Sequence, residues 1–232
     1  CALPIWTLDT RQPSFSVIDL TYVKTFNSNM MTRRLPIIIT SLCMALASGL
    51  HAKSKLGEYY LGFSYFSGDG TGLEIDALDF ELANPVSDNN DVRLGLSWMN
   101  VNHTTGTDET SWWLTTDYVY QYDGYMDTGG MFRPYASVGL GYANDEGKVL
   151  LRETGFNWRL ALGTEILFNN SLSAMIGVNF YGMWSDFGKT DAEWEASLLY
   201  WLEEIHGIGI EYRHLNDADI NYFGLRYLYS WQ

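Results

Sequence analysis

YFGLRYLYSW (residues 222–231) puts Phe223, Leu225, Tyr227, Tyr229 and Trp231 on one parity and Tyr222, Gly224, Arg226, Leu228 and Ser230 on the other. Successive side chains of an extended strand point to opposite faces. One face of this strand is therefore wholly apolar and aromatic, while the other mixes glycine, charge and hydroxyl. Toward Glu58 the alternation recurs in segments 58–66, 73–83, 91–101, 111–122, 133–143, 155–168, 171–184, 192–203 and 206–214, each bounded by turn-forming residues. With 220–231 that makes ten, most of them near the 9–11 residues a tilted strand needs to cross a bilayer. The pattern predicts an all-β chain, an antiparallel up-and-down transmembrane β-barrel of ten strands. Eight strands is the alternative if 73–83 or 192–203 is not a strand; EWEASLLYWLEEI (193–205) also reads as a short amphipathic helix.

Upstream, Arg33 and Arg34 follow Met30 and Met31, and the uncharged run LPIIITSLCMAL (35–46) leads to the small residues Ala45, Ala47 and Ala52. A basic start, an apolar run too short to span a bilayer and small residues beyond it predict a signal peptide over 30–52. Cleavage is expected after Ala52, with Ala47 as the rival position. Residues 1–29 share no period with the rest and read as a non-native or disordered leader, so the barrel domain is 53–232. Cys1 and Cys43 both fall in the part expected to be removed, which leaves no disulfide or thiolate chemistry.

Composition agrees with one domain in 232 residues: 18% charged, 16% aromatic, with 22 glycines. A net charge of −14 argues against nucleic acid as a partner, because phosphate needs Lys and Arg to neutralise it.

Parity directs Asp79, Glu81, Arg93, Asp117, Arg159, Glu165, Glu195, Glu211, Arg213 and Arg226 inward. Mixed acids and bases in a narrow lumen are tolerable when they pair and hydrogen-bond. The expectation is a plugged, polar, salt-bridged interior, with inward glycines such as Gly139 and Gly163 making room for bulky neighbours. Tyr59, Trp98, Trp112, Tyr122, Trp184, Trp194 and Trp231 stand near segment ends, where rings with a polar edge form the membrane-interface girdles. Acids at 69, 108, 109, 145, 146, 186, 191, 217 and 219 are expected in solvated loops, and none has the spacing of a dedicated calcium motif.

RPYASVGLGYA (133–143), NSLSAMIGVNFYG (170–182) and GIGIEYRHLNDADINYFGLRYLYSW (207–231) resemble the outer-membrane β-barrel superfamily, which includes outer-membrane protein A-like transmembrane domains and small porin-like proteins. The resemblance implies a cell outer membrane location in a Gram-negative envelope. The partners it implies are outer-membrane lipid and lipopolysaccharide, and the barrel-assembly machinery during insertion. Members usually end on the aromatic that this machinery reads; here Trp231 is followed by Gln232. The function expected is structural or surface-interacting and non-enzymatic, as a monomer without cofactor or metal. A small diffusion pore is the alternative. A second alternative is an outer-leaflet lipid A acyl-ester hydrolase: YRHLNDAD (212–219) faintly resembles that family's His-bearing strand, but Asn216 stands where its Ser nucleophile would be.

Overall fold

The computed structural model describes residues 54–104, 106, 108–125, 129, 131–145, 153–188 and 190–231. The leader (1–29) and the signal peptide (30–52) lie outside these residues.

Ten strands form: β1 Tyr60–Gly70, β2 Leu73–Ser87, β3 Asn90–His103, β4 Glu109–Gln121, β5 Phe132–Asp145, β6 Gly155–Asn169, β7 Leu172–Met183, β8 Thr190–Leu202, β9 His206–Leu215 and β10 Ile220–Ser230. Each pairs antiparallel with its chain neighbours, and β1 closes on β10 from Tyr60↔Ser230 to Asp69↔Asn221. Closure leaves no strand edge unpaired, which is what allows a sheet to cross hydrocarbon. The eight-strand alternative is thereby excluded. Both of its doubtful segments are full strands, β2 with 15 residues and β8 with 13.

β8 shows why a local reading is ambiguous. Leu, Glu, Ala and Trp suit a helix as well as a strand. Pairing with β7 from Leu172↔Tyr200 to Gly182↔Thr190, and with β9 along its other edge, decides the matter. Its outer end carries on past the expected boundary, as does that of β1. SGDG (67–70) was expected in a loop, yet it stays in register through Gly70↔Leu73, leaving only Thr71 and Gly72 as the turn. Gly72 has φ +80°, which a residue without Cβ adopts at no steric cost. The longest strands, of 15 residues, exceed the roughly 9–11 that a tilted strand needs to cross a bilayer.

Connections 88–89, 122–131, 170–171 and 203–205 lie at the end where the chain enters β1 and leaves β10. This end is called the turn end below, and the opposite one the loop end.

Candidate functional site

The lumen is filled in three layers. At the loop end, Phe66, Ile75, Met99, Val101, Leu215, Ile220 and Tyr222 form one buried apolar cluster, and Trp113 joins it to Ala143, Tyr181 and Met183. At the turn end, Tyr60, Ala83, Leu199, Trp201 and Leu228 pack together, beside a second cluster of Leu56, Val119, Tyr135 and Met175. Charged residues occupy the middle. A plugged, salt-bridged interior with bulky inward neighbours was expected; the ion pairs concentrate in the middle, and both ends combine apolar clusters with buried polar groups such as Asp145 and Asp191 at the loop end and Glu165 and Asp91 at the turn end. The apolar side chains at the ends contribute by burying area away from water.

In the middle layer Arg213 is the hub. It reaches Asp79 Oδ2 at 3.0 Å, Glu211 Oε1 at 2.7 Å and Glu193 Oε1 at 3.8 Å, with its guanidinium 4.2 Å from the centre of the Phe66 ring. Arg226 binds Glu211 Oε2 at 2.9 Å, lies 3.8 Å from Glu81, and donates to Ser64 Oγ at 2.9 Å. Arg93 stands between Glu81 (3.6 Å) and Asp91 (3.4 Å). Arg159 lies 3.4 Å from Asp117 Oδ2 and from Thr115 Oγ1. Glu195 has hydrogen-bonding partners instead: Tyr135 donates to it at 2.7 Å and Asn179 at 3.3 Å. A cavity of about 140 Å³ remains among these groups. That is room for a small cluster of waters.

Of the ten residues that parity directs inward, nine line this cavity. Glu165, fully buried, does not; it faces the turn end, where Ser54 Oγ and the Lys55 amide (2.8 Å) donate to it. That contact belongs to a feature the alternation could not reveal. Residues 54–57 precede β1 and fold back into the lumen. Ser54, Lys55 and Leu56 are buried. Lys55 Nζ binds Glu81 Oε2 at 3.2 Å, Gly57 N donates to Asp91 Oδ2 at 3.0 Å, and Arg133 donates to Ser54 Oγ (2.7 Å) and Leu56 O (2.9 Å). Burial and the Arg226 guanidinium, with a smaller push from Arg93, lower the Lys55 ammonium to about 8 against the pull of Glu81.

Glu193, Asp91 and Arg133 were also missed, although each shares its parity with a neighbour that was singled out or is buried inward (Glu195, Arg93, Tyr135). Lys55 lies before any alternation begins, so no sequence signal marks it. Two acids expected in solvated loops are buried in strands: Asp145 accepts from Ser111 Oγ at 2.8 Å, and Asp191 from Tyr181 OH at 3.2 Å and Asp217 N at 3.0 Å. Glu146 lies outside the described residues.

On the outer wall, Tyr59, Trp98, Tyr122, Trp184, Trp194 and Trp231 are exposed and Trp112 is half-buried. Tyr59, Tyr229 and Trp231 adjoin at the turn end, as do Trp112, Tyr142 and Phe156 at the loop end. Leu61, Phe63, Leu94, Leu96, Leu160, Leu162, Ile208 and Ile210 fill the exposed band between. His214 turns Nδ1 toward Asn221 Oδ1 at 3.1 Å. Among the described residues no group of three or more His, Cys, Asp or Glu is arranged to hold a metal ion.

A family model described as an outer membrane protein beta-barrel domain matches residues 38–201. No curated protein sequence matches the chain. Among solved structures the chain is similar to an outer membrane channel from Pseudomonas putida F1, at 8% identity and TM-score 0.48, covering 79% of this chain and 99% of the channel. It is also similar to the NanC porin (12% identity, TM-score 0.43, 74% of this chain and 100% of the porin). The N-terminal β-barrel domain of Pseudomonas aeruginosa OprF matches at 15% identity and TM-score 0.35, over 75% of this chain and 99% of that domain.

Proposed function

Because the chain belongs to the outer membrane protein β-barrel domain family, we propose that it is an outer-membrane barrel of structural or surface-interaction type, closed at rest and without catalytic activity. The observation that carries this reading is the filled lumen. Apolar clusters occupy both ends, and the central cavity within the arginine–carboxylate network between them has a volume of about 140 Å³. A diffusion pore needs a continuous water path, and side chains of this size fill a barrel of ten strands. The exposed apolar band suits lipid tails, and the ring pairs at its two borders suit headgroup level. The lipid contact proposed is therefore with outer-membrane lipid and lipopolysaccharide, made by a monomer. A signal peptide over 30–52 would deliver the chain, and the assembly machinery would read the aromatic face of β10.

Planar-bilayer recording on the purified protein tests the reading. We expect no conductance steps at moderate voltage. Regular single-channel steps would refute closure and favour the diffusion pore, while release of fatty acid from lipid A by membranes carrying the protein would refute the non-enzymatic role.

A further inference from the structure

Resting on the closed-lumen reading, we propose that residues Ser54–Gly57 are a displaceable stopper that governs access from the turn end to the central polar cavity. Three observations separate this segment from an ordinary strand lead-in.

First, it lies inside the barrel and not along its rim. Leu56 is 1% exposed and packs on Val119, Tyr135 and Met175, which belong to three different strands, β4, β5 and β7. An apolar side chain seated against three walls closes the opening between them.

Second, the walls supply a set of polar partners for the segment's own backbone. Glu165 accepts from the Lys55 amide, Asp91 accepts from the Gly57 amide, and Arg133 donates to the Leu56 carbonyl. Buried backbone groups require such partners. Three strands (β6, β3 and β5) thus hold this bent segment by main-chain recognition. Gly57 completes the fit. Its φ of +79° favours glycine, and a Cβ there would stand 2.8 Å from Gln121 Nε2.

Third, the segment reaches the cavity itself. Lys55 is part of the cavity lining and pairs with Glu81, which also faces Arg93 and Arg226. Withdrawing the segment removes one cation from a site that already holds two others near Glu81, so the network can keep its pairing. Leu56 belongs to the turn-end cluster and to neither loop-end one, so release opens the cavity from the turn end. The device gates entry of small polar solutes and not passage through the barrel.

Thiol accessibility tests this. Ser137 lines the cavity, and Ser137→Cys is placed in the full chain carrying Cys1→Ser and Cys43→Ser. The probe is a small water-soluble methanethiosulfonate. We expect slow modification in that parent and at least a tenfold faster rate when Leu56→Asp is added, since a carboxylate does not stay in the apolar seat. Glu165→Gln, which keeps the size of the wall while weakening the hold on Ser54 and Lys55, is expected to give an intermediate rate. Heat-modifiable gel mobility reports that each barrel is closed. Unchanged rates in folded variants would overturn the stopper while leaving the closed lumen standing. If Leu56→Asp fails to fold, Glu165→Gln alone decides by the same comparison. A parent already modified as fast as the unfolded chain would overturn the closed-lumen reading itself.

Discussion

Arg213→Met isolates the contribution of the charge network. Methionine keeps an apolar side chain of similar reach and removes the guanidinium, which lies over the Phe66 ring at 4.2 Å and binds three carboxylates. Glu211 retains Arg226 at 2.9 Å, so it is not orphaned. Asp79 loses its 3.0 Å ion pair, with its side chain only 13% exposed, and Glu193 loses a weaker one at 3.8 Å. Breaking a buried pair from one side costs about 3–5 kcal/mol, because the remaining charge stays desolvated. The neighbouring cavity lets water approach Asp79, which places the expected loss at the low end, about 3 kcal/mol. Urea titration of the protein folded into lipid vesicles, followed by tryptophan fluorescence and heat-modifiable mobility, reads the change. Adding Asp79→Asn removes the orphaned charge and should recover about 1–2 kcal/mol of that loss, within the usual range for coupled neighbours. A loss below about 1 kcal/mol for the single variant, or no recovery in the double one, would refute the view that these pairs are desolvated enough to matter.

Two further outcomes follow from the packing and from the stopper. Gly163→Ala should destabilise by about 1–3 kcal/mol, and Gly163→Arg should abolish the heat-modifiable form. A Cβ at this position would stand 2.6 Å from Ile176 O and from the Tyr135 ring, so gel mobility like that of the parent would be inconsistent with the packing described. Lys55→Met should raise the unfolding midpoint at pH 7. The sign follows from proton binding. The buried ammonium titrates near 8, an unfolded lysine near 10.4, so between these values the unfolded chain holds more protons and stability rises with pH. The cost of the docked charge is therefore full below about 8 and disappears as pH approaches about 10.4. The advantage of Lys55→Met should shrink over the same window, and a constant difference from pH 7 to 10 would contradict it.

Ten strands, their approximate limits and their lipid-facing side were legible because a period of two is written into every segment. Phe223, Leu225, Tyr227 and Tyr229 are all exposed on the finished wall. Strand ends were less legible. Polar residues such as Ser67 and Asp69 look like loop, yet above the hydrocarbon a ladder needs no apolar face. Asp145 and Asp191 misled for the same reason: their burial comes from Ser111, Tyr181 and the Asp217 amide, partners distant in sequence.

The sequence by itself determined the barrel, its closure by an even number of strands and the inward direction of nine of the charged side chains that line the cavity, since side-chain alternation is a local property of extended backbone. Only the tertiary structure decided which arginine meets which carboxylate, that apolar clusters gather at the lumen's two ends, and that Ser54–Gly57 lies inside. Those outcomes depend on how strands remote in the chain are staggered around a closed cylinder, and on which wall groups remain unsatisfied once they are. No single segment carries that information.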